Sequence, residues 1–501
     1  MGNMKSRLKW LAASTMLVLP ILSACGGPAA TPTNTTAPAA PTDTAAMVAE
    51  PTNTTAAAQP TDTTAAPEAT NTTAAAEPTN TTAASGGSGD MLAALAAEGI
   101  KPDTSASGKM EFFSWWTAGG EAEGKNDILN LYKQLYPNVE VVDAAVAGGG
   151  GDKAKAVLKT RMQGNDPPDT FQVHAGPELI DGYVAANRMD PVTDIYTTMN
   201  IKGAFPAQLL GMITVSDQIY SVPANIHRGN VLFYNKKVFS DNGITAPANW
   251  DEFFAAADKL KAKNIPALAV GGKDTWAVTM LFEDILLTTA GPDKYNDLMQ
   301  GKADWKDQTV VDALTQLKKL WQGGYINKDF SALTWDDAAG QVLKGTAAAT
   351  IMGDWAKGYF QANDPKWADN FGWEPSPGTT GIFKVISDSF GVPKGAKNPE
   401  NTKKFLDLLA SKTGQVVFNL RKGSIPARTD VDTSKFDVYM KDAAKDFTAA
   451  KSIVGSAPHG SATKEAFNSA LTTAINNFVA NLGEPAATAQ ELETQAEDLL
   501  K

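Results

Sequence analysis

Near Ser107 the composition of this chain changes from one that cannot bury a hydrophobic core to one that must bury a large one. Between Pro28 and about Gly89 the residues are almost only Thr, Ala, Pro, Asn, Gly and Ser. About 395 of the 501 residues lie beyond the change, which is more than the roughly 250–300 residues that one core supports. The sequence therefore predicts an N-terminal spacer followed by a folded part with two lobes.

The predicted spacer, residues 26–106, is a tether rich in Thr, Ala and Pro. It repeats the unit Pro-Thr-Asn/Asp-Thr, and no Lys or Arg occurs between Lys9 and Lys101. Such a segment has too little apolar surface to offset the entropy lost on ordering, so we expect it to be disordered and partly extended. As a random coil, the roughly 62 residues from Pro28 to Gly89 would span about 45 Å.

The only cysteine, Cys25, follows a basic start at residues 5–9 and an apolar run at residues 10–22. A charged region, a short apolar region and small residues are the order found in a secretory signal peptide, and the apolar run is too short for a membrane span. The sequence Leu22-Ser23-Ala24-Cys25 resembles the lipobox of bacterial lipoproteins. This resemblance implies that residues 1–25 are a signal peptide with a lipobox and that acylated Cys25 anchors the protein to the cell membrane, outside the cytoplasm. The alternative is an ordinary secretory signal with a chance cysteine.

Charge and rare residue types exclude several classes of function. The formal net charge is −11, which argues against nucleic acid or an anionic membrane surface as a partner. Once Cys25 is acylated, no thiol remains for a disulfide, a thiolate metal site or a cysteine nucleophile. The three histidines are His174, His227 and His459.

Predicted strands and helices alternate from Lys109 onward. Strands are expected at residues 109–116, 138–142 and 169–174, with helices at 125–135 and 152–162 whose apolar positions share one face. Alternation of this kind indicates βαβ units and a mostly parallel sheet, so the predicted fold class is α/β. Further helices are predicted at residues 250–263, 309–321, 402–410, 415–419 and 465–481.

Two groups of candidate binding residues follow strands of this sheet. Trp115, Trp116 and Glu121 lie on a glycine-rich turn after the first strand, while Gln172 and His174 end the third strand and share one of its faces. Ligands of open α/β sheets bind beyond the carboxyl ends of the strands. The alternative for both groups is structural: tryptophans packed in the core and a histidine that is hydrogen-bonded within it.

Later segments supply further candidates. His227 lies on a polar crossover at residues 223–230 and either lines a cleft or braces a hinge; the sequence leaves both open. Flat indole rings stack on the apolar faces of sugar rings, and Asp, Lys and His side chains hydrogen-bond sugar hydroxyls. The aromatic and charged candidates of this kind are Trp276, Trp335, Trp355, Asp388, Lys422 and His459.

From Lys109 to Lys501 the chain resembles the family 1 extracellular solute-binding proteins of ABC sugar importers. The segments most like the glucose/mannose-binding branch are residues 113–121, 172–176, 225–230, 352–355 and 422–428. The resemblance implies a periplasmic-binding-protein type fold, similar to that of maltose-binding protein, with two α/β lobes, a crossover hinge and a central ligand cleft. The Gly119-Gly120 spacing before Glu121 departs from the family's pattern.

The resemblance also implies how the chain is divided and what it does. The N-terminal lobe is expected to comprise residues 107–226 and 384–424, and the C-terminal lobe residues 227–383 and 425–501. The first lobe would contribute Trp115, Trp116, Glu121, Gln172 and His174, and the second lobe Trp335, Trp355 and His459. The segment that returns to the first lobe would contribute Asp388 and Lys422. The resemblance is weaker at Trp276 and His227. The expected function is capture of a monosaccharide, glucose or mannose, between closing lobes and its delivery to a membrane permease by a monomer, without a cofactor, a metal or a chemical step.

Three alternatives remain at this point. The same receptor role is compatible with a disaccharide, an oligosaccharide or a xylose-like sugar. A secreted glycosidase would use paired carboxylates such as Glu121 and Asp388, which would need to lie about 5–10 Å apart. A metal-binding receptor would use the three histidines, although they lack the short spacing of typical ligand sets.

Overall fold

A computed structural model describes residues 88–501 of the chain. The predicted signal peptide, Cys25 and most of the predicted tether lie outside the described residues. Within residues 88–501, no helix is both long enough and apolar enough to cross a bilayer.

Strands and helices alternate through most of the described chain. The strands are β1 Gly108–Phe113, β2 Val139–Asp143, β3 Thr170–His174, β4 Met189–Asp190, β5 Thr214–Val215, β6 Gln218–Ile219, β7 Val222–Pro223, β8 His227–Arg228, β9 Val231–Asn235, β10 Ala349–Met352, β11 Phe371–Pro375, β12 Ile382–Ile386, β13 Asp388–Phe390, β14 Val392–Pro393 and β15 Ser452–Val454. The helices are α1 Ser88–Ala97, α2 Gly119–Leu135, α3 Asp152–Gln163, α4 Pro177–Leu179, α5 Thr193–Thr198, α6 Ala207–Gly211, α7 Lys236–Asp241, α8 Trp250–Lys261, α9 Thr275–Met299, α10 Gln308–Gln322, α11 Trp335–Leu343, α12 Trp355–Asn363, α13 Trp367–Asn370, α14 Pro399–Ala410, α15 Lys412–Lys422, α16 Val438–Ala449, α17 Glu465–Asn481 and α18 Pro485–Leu499.

The largest sheet has the strand order β2-β1-β3-β13-β7. Strand β1 runs parallel to β2 and β3, whereas β13 runs antiparallel to β3 and β7. The parallel strands agree with the predicted βαβ units, and β13 is an antiparallel addition from much later in the chain. The carboxyl ends of β1 and β3 and the start of β13 therefore lie at the same edge of this sheet.

Two smaller sheets have the orders β10-β9-β11 and β15-β12-β8. The chain passes between sheets twice: from β7 in the largest sheet to β8, and back from β12 to β13 through Ser387. Strands β8 and β12 pair antiparallel, with His227 opposite Ile386. The two crossings therefore lie side by side, which places the predicted crossover at residues 223–230 next to a second one.

Buried apolar side chains form two clusters. In the first, Phe112 of β1 stacks on Phe390 of β13 at 4.8 Å between ring centroids and meets Phe405 edge-on at 5.3 Å. In the second, Trp305 packs against Phe467 with ring centroids 5.3 Å apart. More than one core is what a folded part of this length requires.

The folded part begins earlier than the sequence boundary at Ser107. Helix α1 lies in the segment assigned to the tether, and Leu95 is fully buried in the first core. The carboxylate of Glu98, just after α1, accepts hydrogen bonds from the backbone N–H groups of Lys412 and Thr413 at 2.6 and 3.0 Å. It thereby binds the first N–H groups of α15, which have no partner within that helix. The assignment of residues 88–106 to the tether is wrong, because this stretch carries enough apolar surface to dock.

Candidate functional site

A cavity of about 380 Å³ lies at the edge of the largest sheet where β1 and β3 end and β13 begins. Its lining is dominated by aromatic rings and charged side chains. The lining residues are Trp115, Glu121, Gly150, His174, His227, Trp276, Trp335, Trp355, Ile386, Asp388, Lys422 and His459. Every candidate from the sequence belongs to this lining except Trp116 and Gln172. We call this space the inner cavity.

The strand register places the first polar pair of the site. His174 is the last residue of β3 and Asp388 the first residue of β13, and the two are direct partners across the antiparallel ladder. Trp115 comes two residues after β1 ends, and its ring centroid lies 5.2 Å from that of His174. Residues more than 200 positions apart thus meet because their strands share one sheet edge.

The two adjacent tryptophans have different positions. Trp116 is only 1% exposed and packs in the core, with ring centroids 4.8 Å from Phe418 and 5.4 Å from Phe390. The expectation that Trp116 faces the ligand is therefore corrected: after β1 ends, one indole turns into the core and the other into the cavity. Gln172 likewise lies behind the lining, where its Oε1 accepts from the Trp115 backbone N–H at 3.1 Å.

Asp388 is a buried carboxylate held by several segments of the chain. It accepts hydrogen bonds from the side-chain amides of Gln172 at 2.7 Å and Asn225 at 2.8 Å. Lys422 Nζ lies 3.9 Å and His227 Nε2 3.5 Å from Asp388 Oδ2. Burial alone raises the pKa of Asp388, but the charges of Lys422 and His227 outweigh it and hold the pKa far below its usual range. Asp388 therefore presents a buried, charged acceptor at the inner cavity.

His227 connects two buried carboxylates. Its Nδ1 hydrogen-bonds Asp354, whose Oδ2 also accepts from the Arg228 backbone N–H at 3.1 Å and from the hydroxyl of Tyr439 at 3.2 Å. Burial and Lys422 lower the pKa of His227, but Asp354 and Asp388 outweigh them and raise it. His227 thus both lines the inner cavity and braces the crossover at β8, the two possibilities that the sequence left open.

An ion pair between Lys422 and Glu121 forms another side of the cavity. Lys422, the last residue of α15, donates to Oε1 of Glu121 in the first turn of α2. A side chain at position 120 would collide with the backbone carbonyl of Arg421, so glycine allows the two helix ends to approach. Lys422 Nζ also lies 5.4 Å from the ring centroid of Trp116, which supports the ion pair from the core side.

Aromatic rings form the opposite wall. Trp276 and Trp355 meet edge to face with centroids 5.9 Å apart, and the His459 ring lies 5.2 and 5.1 Å from them. Trp335 begins α11, and its backbone N–H donates to Asp274 Oδ2 at 2.8 Å. Contacts between the rings therefore fix this wall, together with the positions of Trp276, Trp335 and Trp355 at the starts of α9, α11 and α12.

Sequence reasoning missed the loop between β2 and α3, which contributes Gly150 to the lining. A side chain at Gly150 would collide with the Trp276 indole, and one at Gly151 would come within 3.0 Å of the Trp115 ring. The loop therefore packs its backbone against both indoles. The run of glycines at residues 148–151 was the available signal. Asn225 and Asp354 were also missed as individual residues, although they lie in segments that the sequence singled out.

His174 is oriented by a buried charge pair. Glu178 Oε2 lies 2.8 Å from His174 Nδ1 and 2.8 Å from Lys155 Nζ. Burial raises the pKa of Glu178, but Lys155 and His174 outweigh it and bring it down to about 2. The carboxylate therefore stays ionised and fixes the His174 ring at the edge of the cavity.

A second chamber of about 820 Å³ shares Trp115, Glu121, Gly150, Trp335 and Trp355 with the inner cavity. We call it the outer chamber. Its further lining residues are Thr117, Ala118, Gly119, Gly120, Gly148, Gly151, Asp274, Thr334, Asp336 and Tyr359.

Across residues 88–501, no group of three His, Cys, Asp or Glu side chains is arranged to hold a metal ion. Indole faces beside fixed charged acceptors and donors suit an uncharged ligand that carries both apolar faces and hydroxyl groups. A polyhydroxylated ring is one ligand of this kind.

Comparison with known proteins gives a consistent result. Residues 106–416 match the sequence profile of the family described as bacterial extracellular solute-binding protein. An uncharacterised ABC transporter extracellular-binding protein of Pyrococcus horikoshii is 35% identical over 395 residues, which cover 78% of this chain and 88% of that one. A probable sugar-binding periplasmic protein of Mesorhizobium japonicum is 33% identical over 383 residues, or 74% of this chain and 89% of that one.

Solved structures share the fold. A bacterial solute receptor whose crystal structures show an exclusive preference for β-D-galactopyranose has a TM-score of 0.71 and 21% sequence identity, covering 79% of this chain and all of that one. The fold is that of solute receptors similar to maltose-binding protein, with two α/β lobes, which confirms the predicted fold class.

We predict that Glu178→Gln makes the folded protein less stable at pH 7. Because the folded pKa of Glu178 is depressed from 4.5 to about 2, this group contributes stability that is present above pH 4.5 and is lost as pH falls through about 2. The difference in urea-unfolding free energy between wild type and variant should therefore be large at pH 7 and shrink below pH 4.5. A difference that is the same at pH 7 and pH 3 would contradict this account.

Proposed function

We propose that this chain, which belongs to the family of bacterial extracellular solute-binding proteins, captures glucose or mannose in the inner cavity and delivers it to the permease of an ABC importer. The family and its relatives already establish the coarser role: a sugar-binding component of an ABC importer that acts outside the cytoplasm. They are binding proteins and not enzymes, which excludes the glycosidase alternative.

The observation that carries the proposal is the composition of the inner cavity. Indoles of Trp115, Trp335 and Trp355 flank charged groups on Asp388 and on Lys422. Each good hydrogen bond between a charged group and a hydroxyl contributes about 1.5–3 kcal/mol, and such groups reject ligands that leave them unpaired. These properties support a sugar ring as the ligand.

The outer chamber favours a second candidate, a disaccharide or short oligosaccharide. It adds about 820 Å³ and continues past Trp335 and Trp355, with Tyr359, Asp274 and Asp336 among its lining residues. A second ring there would use the same pairing of aromatic faces with carboxylates. The two candidates differ in whether the outer chamber is filled.

We assign residues 107–226 and 384–424 to the N-terminal lobe and residues 227–383 and 425–501 to the C-terminal lobe, and add residues 88–106 to the first. The sheet order supports most of this division, since β1, β2, β3, β7 and β13 share one sheet while β9, β10 and β11 form another. Strand β12 pairs with β8 and β15, which favours a return boundary at Ser387 over one at residue 384. The paired crossings at β7–β8 and β12–β13 would serve as the hinge. Sugar contacts both lobes only when they are closed, so its binding shifts the population toward closure.

Membrane attachment through acylated Cys25 completes the proposal. A lipid anchor followed by a long tether would keep a monomeric receptor at the cell surface while leaving it free to reach the permease. The order of basic, apolar and small residues before Cys25 supports this.

Calorimetric titration of wild type against mono- and disaccharides should show one-to-one binding that is tightest for glucose or mannose. Trp355→Ala should weaken that binding by about tenfold or more, or at least ~1.4 kcal/mol, because the ring loses its stacking surface. Trp321→Ala, in helix α10 outside both chambers, is the matched control and should retain the wild-type affinity.

Unchanged affinity in Trp355→Ala would show that the tryptophan is wrongly assigned to the site. A disaccharide that binds at least about tenfold more tightly than every monosaccharide would replace the first candidate with the second. Binding by none of the sugars would refute the proposed function.

Small-angle X-ray scattering should report a smaller radius of gyration at saturating sugar, with a mass that corresponds to one chain. The lobes close around bound sugar, so at a sugar concentration equal to the wild-type Kd the change should be much smaller in Trp355→Ala than in wild type. Identical profiles with and without bound sugar would rule out lobe closure, and a doubled mass would rule out the monomer.

Cys25→Ser should release the protein from the membrane fraction of expressing bacteria and abolish its labelling by a radioactive fatty acid, because no other thiol can be acylated. Cys25→Ser protein that still partitions with membranes and takes up label would disprove the lipid anchor.

A further inference from the structure

Glu283 is a fully buried carboxylate that lies behind the aromatic wall and does not line the inner cavity. It lies on α9, which breaks at Gly291 (φ 75°), and the hydroxyl of Tyr295 beyond this break lies 2.6 Å from Glu283 Oε1 and 2.9 Å from the carbonyl oxygen of Gly455. The backbone N–H of Ala457 donates to Glu283 Oε1 at 2.6 Å. Because a backbone N–H can only donate, Oε1 is an acceptor.

The other oxygen of Glu283 accepts from two more donors. Ser456 Oγ lies 2.8 Å and Lys384 Nζ 3.4 Å from Oε2. A serine hydroxyl has one hydrogen, and here it is directed to the carboxylate. The oxygen of Ser456 therefore has only lone pairs left for its other neighbour.

That neighbour is His459, whose Nδ1 lies 3.1 Å from Ser456 Oγ. Because the serine can only accept, Nδ1 must carry the ring hydrogen. Burial lowers the pKa of His459 well below its ordinary value, and the charges near it on Lys155, Lys384 and His174 lower it further. The ring is therefore neutral, with its lone pair on Nε2. Across residues 88–501, no group hydrogen-bonds this nitrogen.

We propose that Glu283 and Ser456 are positioning residues that hold His459 in the Nδ1–H tautomer, so that Nε2 accepts a hydrogen bond from a ligand hydroxyl in the inner cavity. The ligand part of this inference rests on the proposed function; the tautomer part does not. It assigns His459 one role in specificity: the ligand group that meets it must donate. An O-methylated or deoxy sugar that lacks this hydroxyl hydrogen should bind poorly, since Nε2 would be left unpaired.

Glu283→Gln tests the chain of hydrogen bonds by reversing it. The Ala457 N–H can only donate, so the new amide should place its oxygen toward Ala457 and its NH₂ group toward Ser456. Ser456 would then accept from the amide and donate to His459 Nδ1, which moves the ring hydrogen to Nε2. The substitution should thus flip the tautomer without removing any atom from the cavity.

The matched control is Asp284→Asn. Asp284 is also fully buried and lies 2.5 Å from Lys384 Nζ, so the change removes a carboxylate beside the same lysine. It has no hydrogen bond with Ser456 or His459. A loss of folding stability or a change in buried charge would therefore affect both variants, whereas a tautomer flip would affect only Glu283→Gln.

Two-bond proton–nitrogen correlation spectra of ¹⁵N-labelled, sugar-free protein distinguish the two tautomers directly, and the chain has only three histidines to assign. We expect the Nδ1–H pattern for His459 in wild type and Asp284→Asn, and the Nε2–H pattern in Glu283→Gln. An Nε2–H pattern in wild type, or an unchanged pattern in folded Glu283→Gln, would overturn the proposal.

Glucose titration forms the second arm. Glu283→Gln should weaken binding by about tenfold or more, and Asp284→Asn by less than about threefold. If the spectra agree but neither glucose nor mannose binds the wild type or either variant, the proposed monosaccharide function fails while the tautomer assignment stands. Should Glu283→Gln not fold, Ser456→Ala replaces it: loss of the acceptor should give a mixture of tautomers, and a pure Nδ1–H pattern would overturn the proposal.

Discussion

The buried carboxylate of Asp388 joins the parts of the chain on which the site depends. Its partners are Gln172 on β3, the last parallel strand in the order of the largest sheet, Asn225 and His227 on the crossover, and Lys422 at the end of α15. An ionised carboxylate in a closed interior is tolerated only when it is paired and hydrogen-bonded, and removing one partner of such a group typically costs several kcal/mol. The charge proposed to meet the ligand therefore also holds these segments together.

Close backbone approach is the second requirement of the site. Gly120 lets the start of α2 meet the end of α15, and Gly150 lets the loop between β2 and α3 pack its backbone against the Trp276 indole. Neither glycine contributes a chemical group. Each removes bulk at a point where a side chain would separate the charged pair of Glu121 and Lys422, or push the loop off the ring. The chemistry of the cavity is thus supported by residues that have no side chain to offer.

Much of this site follows from sequence because of how parallel sheets are built. Residues just after β1 and β3 must share an edge, so Trp115 and His174 could be placed near one another before any coordinates. The alternation of side chains along a strand could not tell which of the two adjacent indoles turns into the core. In the structure it is Trp116. Helix α1 was missed because only Met91, Leu92 and Leu95 add large apolar side chains to a stretch whose other residues are mostly small, like those of the preceding segment. The series of hydrogen bonds from Glu283 through Ser456 to His459 was not predictable. It joins residues more than 170 positions apart, and it depends on which atom of each pair donates the hydrogen.

Helix α1 fixes the start of the described chain to one packed body, because Leu95 is buried in the first core and Glu98 binds the first N–H groups of α15. Under the proposed lipid anchor and the proposed division into lobes, a pull from the N-terminal side would be taken up within that body, without a lever arm across the crossings at β7–β8 and β12–β13. Capture of solute and retention at the surface would then be mechanically independent.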